Sequence, residues 1–525
     1  MRANVYLCGP PGAGKSTVAP LLAALRGADA FDVDAIVEAK DGRPIARIVA
    51  DDGEPAFRAL ERETIGALAA RGDAVVALGA GALEDAVNRR AVTSSGTLVF
   101  LDAALDTCAE RTEHAAGRRP LLREAGALGR LHAERRQRYL ESAVCVAVDG
   151  MSAGDVARAV DAALRDERVV RVETARPYDV VIGARVLDDL PERVAPLAGG
   201  RVVVVVDRRV EAVGERIAHA YQAAHVHATL ICVDADESLK SLASLGDLYA
   251  RFVDAQLDRR GLVVGVGGGT IGDAVGFAAA TFQRGVPYAA VPTTLLAAVD
   301  AAIGGKTAIN LPSGKNAVGT VTQPALVAIA PHALRSLPRR DVLSGYGEML
   351  KYGLALDATL YAALRTSEAA LLDDPATALH AIARCVALKA EIVARDEDDR
   401  TGTRALLNFG HTVGHAIEKV AGYGTLRHGE AVIVGMRAAL ALSVARGVLD
   451  DAARSDADAH LAALPIPAAW RALDASAVID ATRGDKKRHA GGTQYVLLDA
   501  IGRARLDDGV RTEDVREALA GLGLR

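Results

Sequence analysis

What limits this chain most is a repeated local pattern: a short β-branched apolar run that stops in glycine or an acid and gives way to a helix start. It occurs in VYLCGPPGAGKST from residue 5, in RVVVVVD ending at Asp207 and in LVVGVGGGTIGD ending at Asp273. Strands apolar on both faces belong inside a sheet. Where they alternate with helices, the sheet is parallel and covered on both sides, so the expected class is α/β.

At 525 residues the chain exceeds one core, and length alone suggests about three to four domains or subdomains. Net charge is −5 with acids and bases interleaved, which gives no reason to expect a nucleic-acid or membrane surface as partner. The five cysteines are scattered and form no C-x-x-C, as expected of thiols in a reducing cytoplasm. No signal peptide is expected, because the first strand and its glycine turn begin within ten residues of Met1. The apolar stretch Ala289 to Ala302 is cut by Pro292 and Asp300, short of the ~20 residues of a membrane-spanning helix. A soluble cytoplasmic protein acting on small molecules is the expectation.

The pattern G-x-x-x-x-G-K-S is complete from Gly9 to Ser16 and sits between a strand and a helix start. Its backbone N–H groups can wrap phosphates, Lys15 can neutralise the β/γ oxygens and Ser16 can hold Mg²⁺, so nucleotide binding with magnesium is expected. FDVD then places Asp32 and Asp34 two apart at a strand end, pointing to one side. Further on come a helix start with Arg58 and Glu61, the glycine-ended strand LGAGAL, the loop GRRPLL and a basic helix with Arg135.

The second concentration of chemistry is R-ALLNFGHTVGHAIEKVAGYGTLR-HGE, from Arg404 to Glu430. His411 and His415 are four apart, one helical turn, and Arg404 and Asn408 precede His411 by seven and three, which predicts a shared helix face. His428 returns after the Gly422–Gly424 break. A lone histidine is usually a packing residue; three within eighteen positions beside Asn and Arg point to a metal, zinc first. Upstream, Glu348 and Lys351 are spaced i, i+3, and Asp300, Lys306, Lys315 and Asn316 fall in a loop-rich segment able to close on a phosphate. The charged stretch DERVVRVETARP, without clear periodicity, reads as a linker.

With these motifs in order, residues 1–165 resemble shikimate kinase. The resemblance implies that Gly12, Gly14, Lys15, Ser16, Thr17 and Arg111 hold ATP and that Ser16 and Asp32 hold magnesium. It also implies that Arg119 swings in on a lid to touch the transferring phosphoryl, and that Asp34, Arg58, Gly79, Gly81 and Arg135 form the shikimate pocket. Ala80 departs from the family's three successive glycines.

Residues 178–525 resemble 3-dehydroquinate synthase, on GGGTIGD, PTTLLAAVDAAIGGKT, SGKN, GEMLKYG, NFGHTVGHAIE and HGEAVIVG. That implies an NAD-binding α/β half over 178–335, a helical metal-binding half over 336–525, and 166–177 as the linker. By the same likeness Glu348, His411 and His428 hold zinc, or another divalent ion such as cobalt. His415, Lys351, Lys306, Arg404 and Asn408 act in catalysis, and Arg284, Asp300, Asn316, Lys389 and Lys487 surround the substrate. NAD meets Asp207, Glu237, Lys240, Gly269, Thr270, Ile271, Gly272, Asp273, Thr293, Thr294, Lys306 and Lys315. One extra residue separates Lys389 from Arg404, and Lys486 stands beside Lys487 as an alternative. A homodimer through the synthase is also expected. Together the two likenesses imply a bifunctional shikimate-pathway enzyme. The rival is a metal- and NAD-dependent polyol dehydrogenase fused to a P-loop regulatory module, and the many lysines and arginines favour a phosphorylated substrate instead.

Overall fold

In the computed structural model the described residues are 3–113, 127–140, 142, 144–312, 314–335, 337–365, 371, 375–422, 424–484 and 494–524. The first module is a parallel sheet of β1 (Asn4–Cys8), β2 (Asp29–Asp32), β3 (Ala74–Ala77), β4 (Gly96–Asp102) and β5 (Val144–Ala147), in the order β2-β3-β1-β4-β5. Around it lie α1 (Lys15–Arg26), α2 (Val33–Asp41), α3 (Glu54–Ala69), α4 (Ala86–Ser95) and α5 (Ala127–Leu140). Tyr6, Leu7, Val75, Val76, Val99 and Phe100 are buried, so the sheet is apolar on both faces, as its run of β-branched and aromatic residues dictates.

The second module has seven strands: β6 (Glu167–Val172), β7 (Tyr178–Gly183), β8 (Val202–Asp207), β9 (Ala228–Val233), β10 (Leu262–Gly267), β11 (Tyr288–Pro292) and, after the hairpin β12–β13 (Lys306–Leu311, Gly314–Val321), β14 (Leu326–Ile329). Their order is β6-β7-β14-β11-β10-β8-β9, with only β6 antiparallel to its neighbour. Val202 to Val206 are all fully buried, each worth about 1.5–3 kcal/mol on leaving water. On this sheet lie α6 (Glu211–Ala223) and α7 (Gly269–Thr281). A helical layer follows, with α8 (Arg339–Leu356), α9 (Pro375–Arg395), α10 (His411–Ala421) and α11 (His428–Ala445), and a small hairpin β15–β16 (Tyr495–Ala500, Arg503–Asp507) closes it. One described helix, α11, is long and apolar enough to cross a membrane by composition, but it is a core helix here, buried along most of its length.

Three expectations need correction. Of the stretch read as a linker, residues 167–172 form β6, in register with β7 from Glu167–Gly183 to Val172–Tyr178. Backbone pairing substitutes for an amphipathic pattern there, and the charges of Arg168 and Arg171 suit an edge strand. Asp34 is not on a strand with Asp32: β2 ends at Asp32, whose side chain accepts from Ala35 N–H at 3.2 Å and caps α2, as a capping Asp does. Nor does the junction isolate the modules. Arg216 of α6, 4% exposed, pairs with Asp188 at 2.6 Å and donates to Thr97 Oγ1 of β4 at 2.7 Å, while Arg90 of α4 pairs with Glu215 of α6.

Candidate active sites

The phosphate loop joins β1 to α1 with Gly9, Gly12 and Gly14 at positive φ, a conformation that costs glycine little. Lys15 Nζ donates to the carbonyls of Gly9 and Pro10 at 2.8 and 3.1 Å. The loop opens into a cavity of about 600 Å³ whose walls include Gly12, Gly14, Lys15, Ser16, Thr17, Asp32, Asp34, Arg58, Gly79, Ala80, Gly81, Arg111 and Arg135. Every kinase residue expected from the sequence is thus brought to one space except Arg119, which lies outside the described residues.

At the two glycines beside Ala80 a side chain would crowd the polar groups of the cavity. A Cβ on Gly79 would stand 2.7 Å from Glu61 Oε1 and 2.9 Å from Asp34 Oδ1, and one on Gly81 would stand 2.6 Å from Arg58 Nη2. Glu61 was named in the sequence but given no role. It is fully buried, lines the cavity and holds Arg58 at 2.8 Å; burial raises its carboxyl more than Arg58 lowers it. Its i, i+3 spacing from Arg58 was the available signal. Tyr139 was likewise missed; its hydroxyl donates to the Ala80 carbonyl at 2.5 Å.

In the second module a chain of alternating charges runs beneath the sheet's carboxyl edge. Lys389 on α9 donates to Asp300 Oδ1 at 2.6 Å, Tyr352 on α8 donates to the same oxygen at 2.8 Å, and Lys351 stands 3.9 Å away. Lys351 pairs with Glu348 at 2.6 Å, both buried. Glu348 Oε1 then faces His411 Nε2 at 3.4 Å and His428 Nε2 at 3.3 Å, and Glu418 meets His428 Nδ1 at 3.3 Å. Two ligand atoms about 2.0–2.1 Å from a tetrahedral metal are about 3.3–3.4 Å apart, which these separations match. Oε2 of Glu348 is held by Lys351, whereas Oε1 has no well-directed hydrogen bond, and an ion among Glu348, His411 and His428 would satisfy it.

His415 belongs to the same cluster. One ring nitrogen from each of His411, His415 and His428 falls within 4.8 Å of the others, yet His415 is exposed whereas His411 is buried. Helix packing brings these residues together. A Cβ on Gly347 of α8 would stand 2.8 Å from the Gly429 carbonyl, and one on Gly429 of α11 would stand 1.9 Å from that of Ser344, so α8 and α11 touch backbone to backbone.

Several expected residues are placed otherwise. Arg404 and Asn408 lie on a 3-10 turn, Thr403–Asn408, and Gly410 at φ 79° breaks it from α10, so the helical extrapolation to His411 fails. Arg404 is buried, donating to the carbonyls of Glu397 at 3.0 Å and Gly304 at 3.5 Å, and Asn408 is exposed. Lys306 pairs with Asp399 at the surface. Arg284 is exposed beyond the C-terminal end of α7, about 20 Å along the axis from Gly269 and at the opposite edge of the sheet from Thr293. Lys486 and Lys487 lie outside the described residues.

The glycine turn after β10 begins α7. A Cβ on Gly267 would meet Ile271 Cγ1 at 2.4 Å and one on Gly268 would meet Thr294 Cγ2 at 3.1 Å. Gly269, Thr270, Ile271, Gly272 and Asp273 thus form a bare helix N-terminus at the end of a parallel strand, with Thr293 N–H donating to the Gly267 carbonyl. That is where a pyrophosphate binds. Around it Lys240 pairs with Asp273 at 2.6 Å and donates to Asn316, Lys315 stands 3.7 Å from Glu237, and Asp207 ends β8.

A phosphate loop with its acceptor cavity on one sheet, and an acid–histidine cluster below a second, define an enzyme with two catalytic modules. The family model for shikimate kinase matches residues 11–165, and those for the N- and C-terminal parts of 3-dehydroquinate synthase match 230–344 and 345–488. The 3-dehydroquinate synthase of Caulobacter vibrioides is 45% identical over 63% of this chain and 91% of its own length; that of Rhodopirellula baltica is 40% identical over 61% and 85%. Among solved structures, the 2-epi-5-epi-valiolone synthase of Streptomyces hygroscopicus subsp. jinggangensis, with NAD+ and Zn2+ bound, is 30% identical over 66% of this chain and 96% of that chain, with TM-score 0.60. The chain belongs to the 3-dehydroquinate synthase family and carries a shikimate kinase module ahead of it: it is a bifunctional shikimate-pathway enzyme. That membership sets aside the polyol dehydrogenase reading.

Proposed function

We propose that both modules are active, the kinase over about 1–165 and the synthase from β6 to the C-terminus, divided near 335 into NAD-binding and metal-binding halves. The observation that carries the synthase assignment is the unbroken charge chain from Lys389 through Asp300, Lys351 and Glu348 to the histidines. Glu348, His411 and His428 would hold zinc or cobalt, with Glu418 orienting His428 through its other nitrogen.

When bound, the metal would supply a Lewis acid for the C5 hydroxyl of 3-deoxy-arabino-heptulosonate 7-phosphate, and NAD, held at the Gly269–Asp273 helix start, would supply a reversible hydride acceptor for that carbon. His415, exposed at the cluster's mouth, would move protons to and from the substrate. Asp300, Lys389 and Lys351 would orient its polar groups, and Lys306, Asn316 and Lys487 would hold the phosphate until the transient ketone acidifies its neighbour and phosphate leaves. Arg404, buried against the Gly304 turn, would shape that loop. An aldol closure then yields 3-dehydroquinate.

In the kinase, Lys15, Arg111 and magnesium on Ser16 and Asp32 would neutralise ATP, with Arg119 from the lid. Asp34, Arg58 and Arg135 would grip shikimate, so that transfer to its 3-hydroxyl proceeds by positioning and charge neutralisation. A cytoplasmic homodimer through the synthase module is proposed as well. Arg284, at the far edge of its own sheet, could serve a substrate only in a second copy.

The decisive experiment follows NAD. A synthase releases phosphate from the heptulosonate with many turnovers per NAD and no lasting NADH absorbance. Stoichiometric NADH without phosphate release would refute the assignment. Conversion of shikimate and ATP to shikimate 3-phosphate and ADP tests the kinase.

A further inference from the structure

We infer that Arg335, a residue of the synthase module, is a positioning residue for the acceptor side of the kinase; the inference rests on reading the kinase cavity as the shikimate site. Arg335 follows the turn Pro331–Leu334, which leaves β14 of the seven-stranded sheet, and Leu334 and Ile329 beneath it are fully buried. Its base is therefore packed on the core of its own module. Its guanidinium crosses to the kinase, where Nη1 donates to the Ser142 carbonyl at 2.5 Å and to Cys145 Sγ at 3.1 Å.

Ser142 lies two residues beyond the end of α5, the helix that carries the acceptor groups. Its N–H donates to the Tyr139 carbonyl at 3.1 Å, ending α5, and its hydroxyl lies 3.3 Å from Cys8 Sγ, the last residue before the phosphate loop. On α5, Leu131, Arg135 and Tyr139 are spaced i, i+4, i+8 and share one face. Leu131 and Arg135 line the cavity, and Tyr139 holds the Ala80 carbonyl between Gly79 and Gly81. By holding the residue whose N–H closes on the Tyr139 carbonyl, Arg335 tethers the C-terminal end of α5, and a grip on a carboxylate by Arg135 weakens with small displacements of its helix.

Further contacts cross the interface that brings Arg335 to Ser142. Arg216, buried on the same interface, pairs with Asp188 and donates to Thr97 of β4, and His219 Nδ1 lies 3.3 Å from the Ser94 carbonyl at the end of α4. The synthase thus acts as a wall against which the kinase's acceptor helix is set.

The test is steady-state kinetics on the full-length chain with Arg335→Ala, shikimate varied at saturating ATP and the reverse, and synthase turnover measured in the same preparation. Expected is a rise of about fivefold or more in KM for shikimate, with kcat, KM for ATP and synthase turnover within about twofold. Arg335→Lys, which keeps the charge and a donor, should recover part of the loss. A folded Arg335→Ala chain with unchanged KM for shikimate overturns the inference, as does a parallel fall in both activities, which is what loosened packing alone produces. Should the alanine chain not fold, Arg335→Gln and Arg335→Lys carry the same comparison. Failure of the unaltered chain to phosphorylate shikimate overturns the reading of the cavity and this inference with it.

Discussion

A carboxylate as deeply buried as Glu348 holds its charge only through its neighbours. Burial pushes its carboxyl up, but Lys351 and the imidazoles of His411 and His428 outweigh that and hold it well below the usual range. Burial likewise pushes His428 down, and Glu348 and Glu418 reverse this, raising it to about 10. A proton on His428 thus stands beside the two carboxylates where a cation would, and binding a metal there would displace it. His411→Ala and His428→Ala should therefore lose zinc by metal analysis, whereas His415→Ala should retain it and lose turnover. Glu418→Gln should weaken zinc about 10–100-fold; unchanged affinity would remove Glu418 from the site. In the kinase, the raised carboxyl of Glu61 contributes stability that is present below the ordinary carboxylate range and is lost as pH rises through its raised value. Glu61→Gln should flatten that slope, with a melting temperature at pH 7 no lower than the parent's, while raising KM for shikimate as Arg58 loses its anchor. A lower melting temperature at pH 7 would contradict the burial argument.

At the scale of elements, strands, glycine turns and the HTVGH helix were legible because their signals are local: β-branched runs, positive-φ glycines and an i, i+4 spacing. Where reading failed, the cause was a break or a partner outside the window. Gly410 at φ 79° separates Arg404 and Asn408 from the helix they seemed to share with His411, and β6 exists only because β7 offers it a free edge. The contact of α8 with α11 depends on glycines whose purpose no local pattern reveals. Gly429→Ala would put a methyl 1.9 Å from the Ser344 carbonyl, forcing the two helices apart at a cost of about 1–3 kcal/mol or more. Thermal unfolding should show that loss together with weakened zinc retention; a variant as stable and as metal-loaded as the parent would mean that the helices yield without displacing Glu348.

At the scale of the molecule, two sheets each carry their own chemistry, and the catalytic groups of one do not enter the other. Lys15→Met should therefore abolish shikimate phosphorylation and leave synthase turnover within about threefold, measured as phosphate release from the heptulosonate. Collapse of both activities would show a coupling stronger than the interface at Arg216 and Arg335 conveys. By itself the sequence determined the α/β class, the order of the two modules, the phosphate loop and the cast of charged residues, because each is written in short runs whose chemistry is local. Only the tertiary structure decided which of those charges meet. The alternation of Lys389, Asp300, Lys351, Glu348 and the histidines is assembled from five separate segments, and Arg335 reaches the kinase across a docked interface. Such contacts depend on how helices approach and sheets dock, which is set by packing over the whole chain and has no periodicity to read.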